Sequence, residues 1–177
     1  ISNMAVWNAK KGAFKDNLVI WNTLGHIQMA SIEMKRYTKV LSSDNDDWAK
    51  HDAIKSAYTS IYETSKKLVD STGKLMKFIN YEFPSYDFSS FKEVRKELTK
   101  FREDNKDALT NVRNTIDAHR DEDVCMQIET AENLHLSDAV KLILDYGRIV
   151  NELGTVVSPI NRLGILQLKS VFGKTKN

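Results

Sequence analysis

The sequence predicts an all-α fold: a single-domain bundle of four long helices plus a short helix. Three observations lead there. Only 7 Gly and 2 Pro stand among 177 residues, so the residues that end helices are scarce. Apolar residues recur at three- and four-residue intervals over long stretches. The composition, 41% hydrophobic and 28% charged, supplies a core and excludes disordered, collagenous and low-complexity classes. No repeat, linker or composition change divides the chain, so residues 1–177 are read as one domain. The residues leading to Met4, Ile1-Ser2-Asn3, have the look of an expression scar and carry no functional weight.

The first helix, roughly Phe14 to Leu41, carries Leu18, Trp21, Leu24, Ile27, Ile32, Met34 and Leu41. These spread over more than one face, as expected of a helix packed between neighbours. Asp44 and Asp46 then suit the start of a second helix, where a carboxylate caps unpaired N–H groups and meets the positive dipole end. That helix, Asp47 to Glu82, has a near-heptad stripe of Ile54, Tyr58, Ile61, Leu68, Leu75 and Ile79. Ser65 and Thr72 share the stripe as small side chains that permit close helix approach. Pro84 ends the helix and biases Phe83 toward extended backbone.

Ser89 or Ser90 caps a third run, with Phe91, Val94, Leu98, Phe101, Leu109, Val112 and Ile116 on one side. Asp104-Asn105 interrupts that stripe without needing to break the helix. A short helix fits Asp123 to Asn133. Ser137 looks like the N-cap of the last long helix, with Asp138 in its first turn. Ala139, Val140, Ile143, Tyr146, Val150, Leu153 and Val157 keep helical spacing. Pro159 and Gly164 mark its end or a kink, and 165–177 is expected to be a less ordered basic tail.

The charge balance, 26 Lys+Arg against 24 Asp+Glu, excludes a uniformly basic nucleic-acid binder. It leaves two basic ends, however. Residues 1–41 hold six basic and two acidic groups, and residues 158–177 hold four basic and no acidic ones. A single Cys excludes a disulfide framework and a thiolate zinc site. No apolar run approaches the roughly 18 residues of a membrane span, and no secretory apolar block opens the chain. The expectation is a soluble cytoplasmic protein with no membrane partner.

Cofactor signatures are absent as well. The scattered glycines form neither GxGxxG nor a P-loop, and neither HExxH nor the two ExxH motifs of a di-iron site occur. His26, His51, His119 and His135 are too dispersed for a ligand cluster, so neither cofactor nor metal is expected. Cys125 reads as an inert, half-buried thiol on a short helix. Trp7, Trp21 and Trp48 read as core or interface residues before base-stacking platforms.

One segment stands apart: Asn111-Val112-Arg113-Asn114-Thr115-Ile116-Asp117-Ala118-His119-Arg120-Asp121. A guanidinium, an amide and an imidazole at one helix end are the ingredients of phosphodiester chemistry. Arg holds two phosphate oxygens at once and stabilises charge developing in the transition state. A near-neutral His accepts a 2′-OH proton or donates one to a leaving oxygen. Asn orients either partner without adding charge.

The segment resembles the R-x4-6-H motif of the HEPN superfamily, helical domains in which a polar residue, often Asn, follows the Arg. Arg113-Asn114 supplies that pair, and His119 follows after five intervening residues. The wider string also resembles HEPN domains of bacterial abortive-infection and toxin systems. The resemblance implies a helical bundle that pairs as a homodimer, its two motifs forming a metal-independent RNA-cleaving cleft. It assigns Arg113 to the phosphate and the transition state, Asn114 to orientation and His119 to acid/base work. Arg120 is a candidate RNA contact, and an antitoxin or larger effector is a candidate partner protein.

Geometry complicates this picture. Residues six apart lie about 240° around an α-helix, so Arg113 and His119 do not share a face. Either the helix unwinds before His119, or two subunits combine their groups across a dimer axis. The plainer reading pairs Arg113 with Asp117 at i+4, lets His119 cap a helix C-terminus, and leaves Asn114 on the surface. Two rival functions accompany it: a non-catalytic helical interaction or dimerisation module, and a small-molecule-binding bundle with an enclosed apolar pocket.

Overall fold

The apolar stripes fold as helices that turn those stripes inward. The structure, a computed structural model, describes residues 18–43, 46–118, 130 and 133–173, with side chains through 115 and 164 in the last two helical stretches. Every regular element among them is helical. In chain order they are α1 (Leu18–Leu41), α2 (Asp47–Glu82), α3 (Ser89–Asp104), α4 (Lys106–Val112), a π-helical turn (Arg113–Ala118) and α5 (Leu136–Gly173). All are helices, as the all-α reading predicts, and the short α4 is the far part of the expected third run. The short helix expected over Asp123 to Asn133 falls mostly outside the described residues.

The packing is antiparallel around α1. Thr23 of α1 bonds to Ser71 of α2, and Glu33 to Ser60, so the two helices run in opposite directions. Ile27 meets Gly154 of α5, and Met34 meets Gly147, again in opposite directions. α3 opposes α5 in turn, through Glu97 with Arg148 and Phe101 with Tyr146. The four long helices therefore alternate up, down, up, down. α4 and the π turn lie against α2.

The α2 stripe is buried along its whole length: Ile54, Tyr58, Ile61, Ser65, Leu68, Thr72, Leu75 and Ile79 are all core residues. The hydroxyls of Ser65 and Thr72 return to their own helix, bonding to the Tyr62 and Leu68 carbonyls at 3.2 and 2.6 Å. Tyr146 is fully buried among these residues. Its hydroxyl donates to Thr64 Oγ1 at 2.9 Å, and its ring stacks on Phe101 at 5.4 Å. Burial pushes the Tyr146 hydroxyl well above its ordinary value, so it stays protonated. At the surface, Arg148 of α5 bridges Glu97 of α3 and Glu152 one turn along, and both carboxylates hold its proton more firmly.

Several boundaries differ from the sequence expectations, each for a local reason. Asp46 caps α2 as expected, accepting from the Ala49 N–H at 2.7 Å. Phe83 leaves the helical region before Pro84, with φ −133° and ψ 56°. Neither serine caps α3: Phe88 occupies the N-cap with no side-chain cap bond, and Asp87 before it accepts from the Ser89 N–H at 2.9 Å and the Ser89 hydroxyl at 3.1 Å. Those bonds hold the Asp87 carboxyl below its usual range. The third run breaks at Asn105, whose side chain donates to the Phe101 carbonyl at 2.8 Å and turns the chain between α3 and α4.

α5 starts at Leu136, one residue before Ser137, with the His135 carbonyl accepting its first bond. It runs through Pro159 and on to Gly173, because Leu153, Val157 and Ile160 are buried on both sides of the proline. The tail expected to lose order at 165 is therefore helical up to 173. Ile32, read as part of the α1 core, faces solvent. Among the described residues, no helix is long and apolar enough to cross a membrane.

Candidate functional site at the π-helical turn

Winding changes at the residue that the motif singles out. The Arg113 N–H bonds to both the Leu109 and Thr110 carbonyls, and from there the chain adopts π-helical winding to Ala118. Such wide turns are rare and are frequently found at functional sites. Two buried anchors fix the segment: Val112 in the core, and Thr115, whose hydroxyl donates to Asn111 Oδ1 at 3.3 Å. Arg113 and Asn114 are thereby turned outward, Arg113 half-buried and Asn114 exposed.

Three contacts hold the Arg113 side chain. Its Nε lies 3.6 Å from Glu63 Oε1, its Cζ lies 5.5 Å from the centroid of the Tyr62 ring, and its Nη1 donates to Asn114 Oδ1 at 3.1 Å. The Glu63 pair is long and partly solvated, a geometry worth about 0–1 kcal/mol, and the Tyr62 contact adds about 0.5–1 kcal/mol. Together they orient the guanidinium without neutralising it so firmly that a phosphate cannot compete. Glu63, on another helix, supplies an ion pair to Arg113. The Asp117 side chain lies outside the described ones.

The structure thus brings Arg113 and Asn114 into direct contact. His119 and Arg120 lie outside the described residues, as does Cys125. Extra residues per turn also do not by themselves bring positions six apart onto one face. Sequence reasoning missed Tyr62 and Glu63. Neither belongs to the apolar stripe of α2, and only the azimuth at which α4 packs makes them neighbours of Arg113. A cleft of about 430 Å³ opens beside the motif, lined by Tyr58, Asn111, Val112, Asn133 and Leu134 among others. Burial, and next the nearby Asp138 charge, keep the Tyr58 hydroxyl protonated there.

Trp21 closes the core, whereas Trp48 is fully displayed to solvent. Among the described residues, no group of three or more His, Cys, Asp or Glu side chains is placed to hold a metal ion. No family model matches the chain, and neither a curated protein nor a solved structure matches it.

Proposed function

We propose that the chain is a HEPN-like, RNA-directed helical protein that works as a homodimer, with endoribonuclease chemistry of the defence or toxin–antitoxin kind. The observation that carries this reading is the Arg113 guanidinium, oriented at the surface by Tyr62 and Glu63 at the start of a π turn with Asn114 bonded to it. A pre-oriented guanidinium beside a neutral amide suits a phosphodiester whose charge grows in the transition state.

In the proposed reaction the ribose 2′-oxygen attacks the adjacent phosphorus and the bond to the 5′-oxygen breaks. A cyclic phosphate and a 5′-hydroxyl result. His119 takes the 2′-OH proton and supplies one to the leaving oxygen, Arg113 bears the phosphorane charge, and Arg120 contacts the strand. A dimer would supply two copies of each group through one isologous patch. An antitoxin or effector protein is the partner that would restrain such an activity.

Purified protein incubated with structured and single-stranded RNA in EDTA tests this. Cutting is expected, with Arg113→Ala and His119→Ala each slower by at least about a hundredfold. Intact RNA at micromolar protein, or equal cutting by His119→Ala, overturns the catalytic reading. A second reading, a non-catalytic dimerisation module, is favoured by Met29 and Ile32, exposed by 58% and 59% on one outer face of α1. It predicts a dimer that Ile32→Glu dissociates and RNA that stays intact.

A further inference from the structure

Away from the π turn, the antiparallel pairing of α1 and α2 brings together side chains that no sequence motif links. Asn22 and His26 stand one turn apart on α1, and Lys67, Asp70, Ser71 and Lys74 occupy one face of α2 at helical spacing. They line a cleft of about 240 Å³ whose inner wall is Val19 and Thr23. The wall is already satisfied: the Thr23 hydroxyl is shared between the Val19 carbonyl at 2.8 Å and the Ser71 carbonyl at 3.3 Å. His26 is not. Its Nδ1 is shut off from solvent and has no hydrogen-bond partner among the described residues. A buried polar atom left unpaired is costly.

We propose that this cleft is a binding site for a phosphate group, held by the Lys67 and Lys74 ammoniums, the Asn22 amide and the His26 imidazole. The charge sign decides the ligand class. Two ammoniums face one carboxylate, Asp70, so the cleft attracts an anion and repels a cation. Size decides its extent. The volume falls below the roughly 300–1,000 Å³ of sites that enclose drug-sized molecules, so it admits a phosphate rather than a whole nucleotide.

Protonation then couples to binding. Burial, followed by the Lys67 and Lys74 charges, pushes the empty-site His26 below its ordinary value, so the ring is neutral at pH 7. The charged groups facing it are Lys67, Asp70 and Lys74, all from α2; α1 contributes only the Asn22 amide. An anion between the lysines offsets their charge and favours the imidazolium. Anion binding therefore makes the His26 ring take up a proton more readily.

The phosphate belongs either to a small ester or to an RNA strand. Lys67 lies one turn, about 6 Å along α2, from the Glu63 that pairs with Arg113, so one strand can reach both. The site itself does not depend on the RNA reading.

The test is a titration of the full chain with inorganic phosphate at constant ionic strength, read by the NMR signals of the His26 ring. A saturable shift is expected, at least about tenfold weaker in the double variant Lys67→Ala/Lys74→Ala. Both lysines are exposed, and a thermal melt verifies that the variant folds. No saturable shift, or an equal shift in the double variant, overturns the proposal. A short oligoribonucleotide that displaces phosphate from His26 and binds more weakly to Arg113→Ala assigns the phosphate to RNA. Phosphate binding that RNA leaves undisturbed assigns it to a small ester and supports the site even if the RNA reading fails.

Discussion

Tyr146 shows what one buried polar atom contributes in this core. Its hydroxyl has one partner among the described residues, Thr64 Oγ1, which itself donates to the Ser60 carbonyl at 2.6 Å. Tyr146→Phe keeps the stacking on Phe101 and removes one hydrogen bond, so a loss of about 1 kcal/mol is expected in urea unfolding. His26 acts through protons instead. Its native pKa is depressed, so the unfolded chain takes up the proton first as pH falls. Stability should hold above the ordinary His value of about 6.5 and decline as pH drops from there through the lower native value. Comparing urea midpoints of His26→Gln with the unaltered chain from pH 7.5 to 5 isolates this, and the variant should show the flatter profile.

Helices here are positioned by small residues and caps as much as by apolar stripes. Gly154 allows α1 close to α5: a Cβ there would sit 3.6 Å from Ile27 Cγ2, an ordinary contact. Gly154→Ala should therefore fold and gain up to about 1 kcal/mol from helix propensity, whereas Gly154→Leu should lose stability by forcing α1 outward. Thermal melts of the two variants, moving in opposite directions, check this. Asp46→Ala removes the α2 cap and should cost about 1 kcal/mol.

This is also the scale at which the sequence is most and least readable. The α2 stripe was legible because one period governs eight positions, all buried. Capping was less so, because Asp87 and Ser89 both carry suitable oxygens, yet the backbone puts Phe88 at the cap and leaves Asp87 to meet the Ser89 N–H from one residue earlier. Pro159 left an end or a kink open for a related reason: a proline's local cost is visible in sequence, whereas the packing of Val157 and Ile160 that carries the helix past it is not. Arg113 and Asn114 were legible as a motif. Glu63 and Tyr62 were not, since they lie some fifty residues earlier and meet the arginine only through the rotation of α4 on α2.

At the scale of the whole molecule, one shared core joins all four long helices. Leu68, with no exposed surface, sits in it alongside Leu98 of α3, Ile20 of α1 and Leu153 of α5. Leu68→Ala should cost about 2–5 kcal/mol, a large share of the roughly 5–15 kcal/mol that holds a native domain. Circular dichroism at far- and near-ultraviolet wavelengths should then lose signal at one common, lowered denaturant midpoint. Separate midpoints would mean that the helices do not unfold as one unit.

The alternating directions of these helices carry an electrostatic consequence. Each long helix bears roughly half a positive charge at its N-terminus and half a negative charge at its C-terminus. With two helices pointing each way, neighbouring ends are of opposite sign and their fields largely cancel beyond the bundle. The potential over Arg113 and over the His26 cleft is therefore set by side chains such as Glu63, Lys67, Asp70 and Lys74. Such a field is open to tuning by single charge reversals and by salt, with the backbone left as it is.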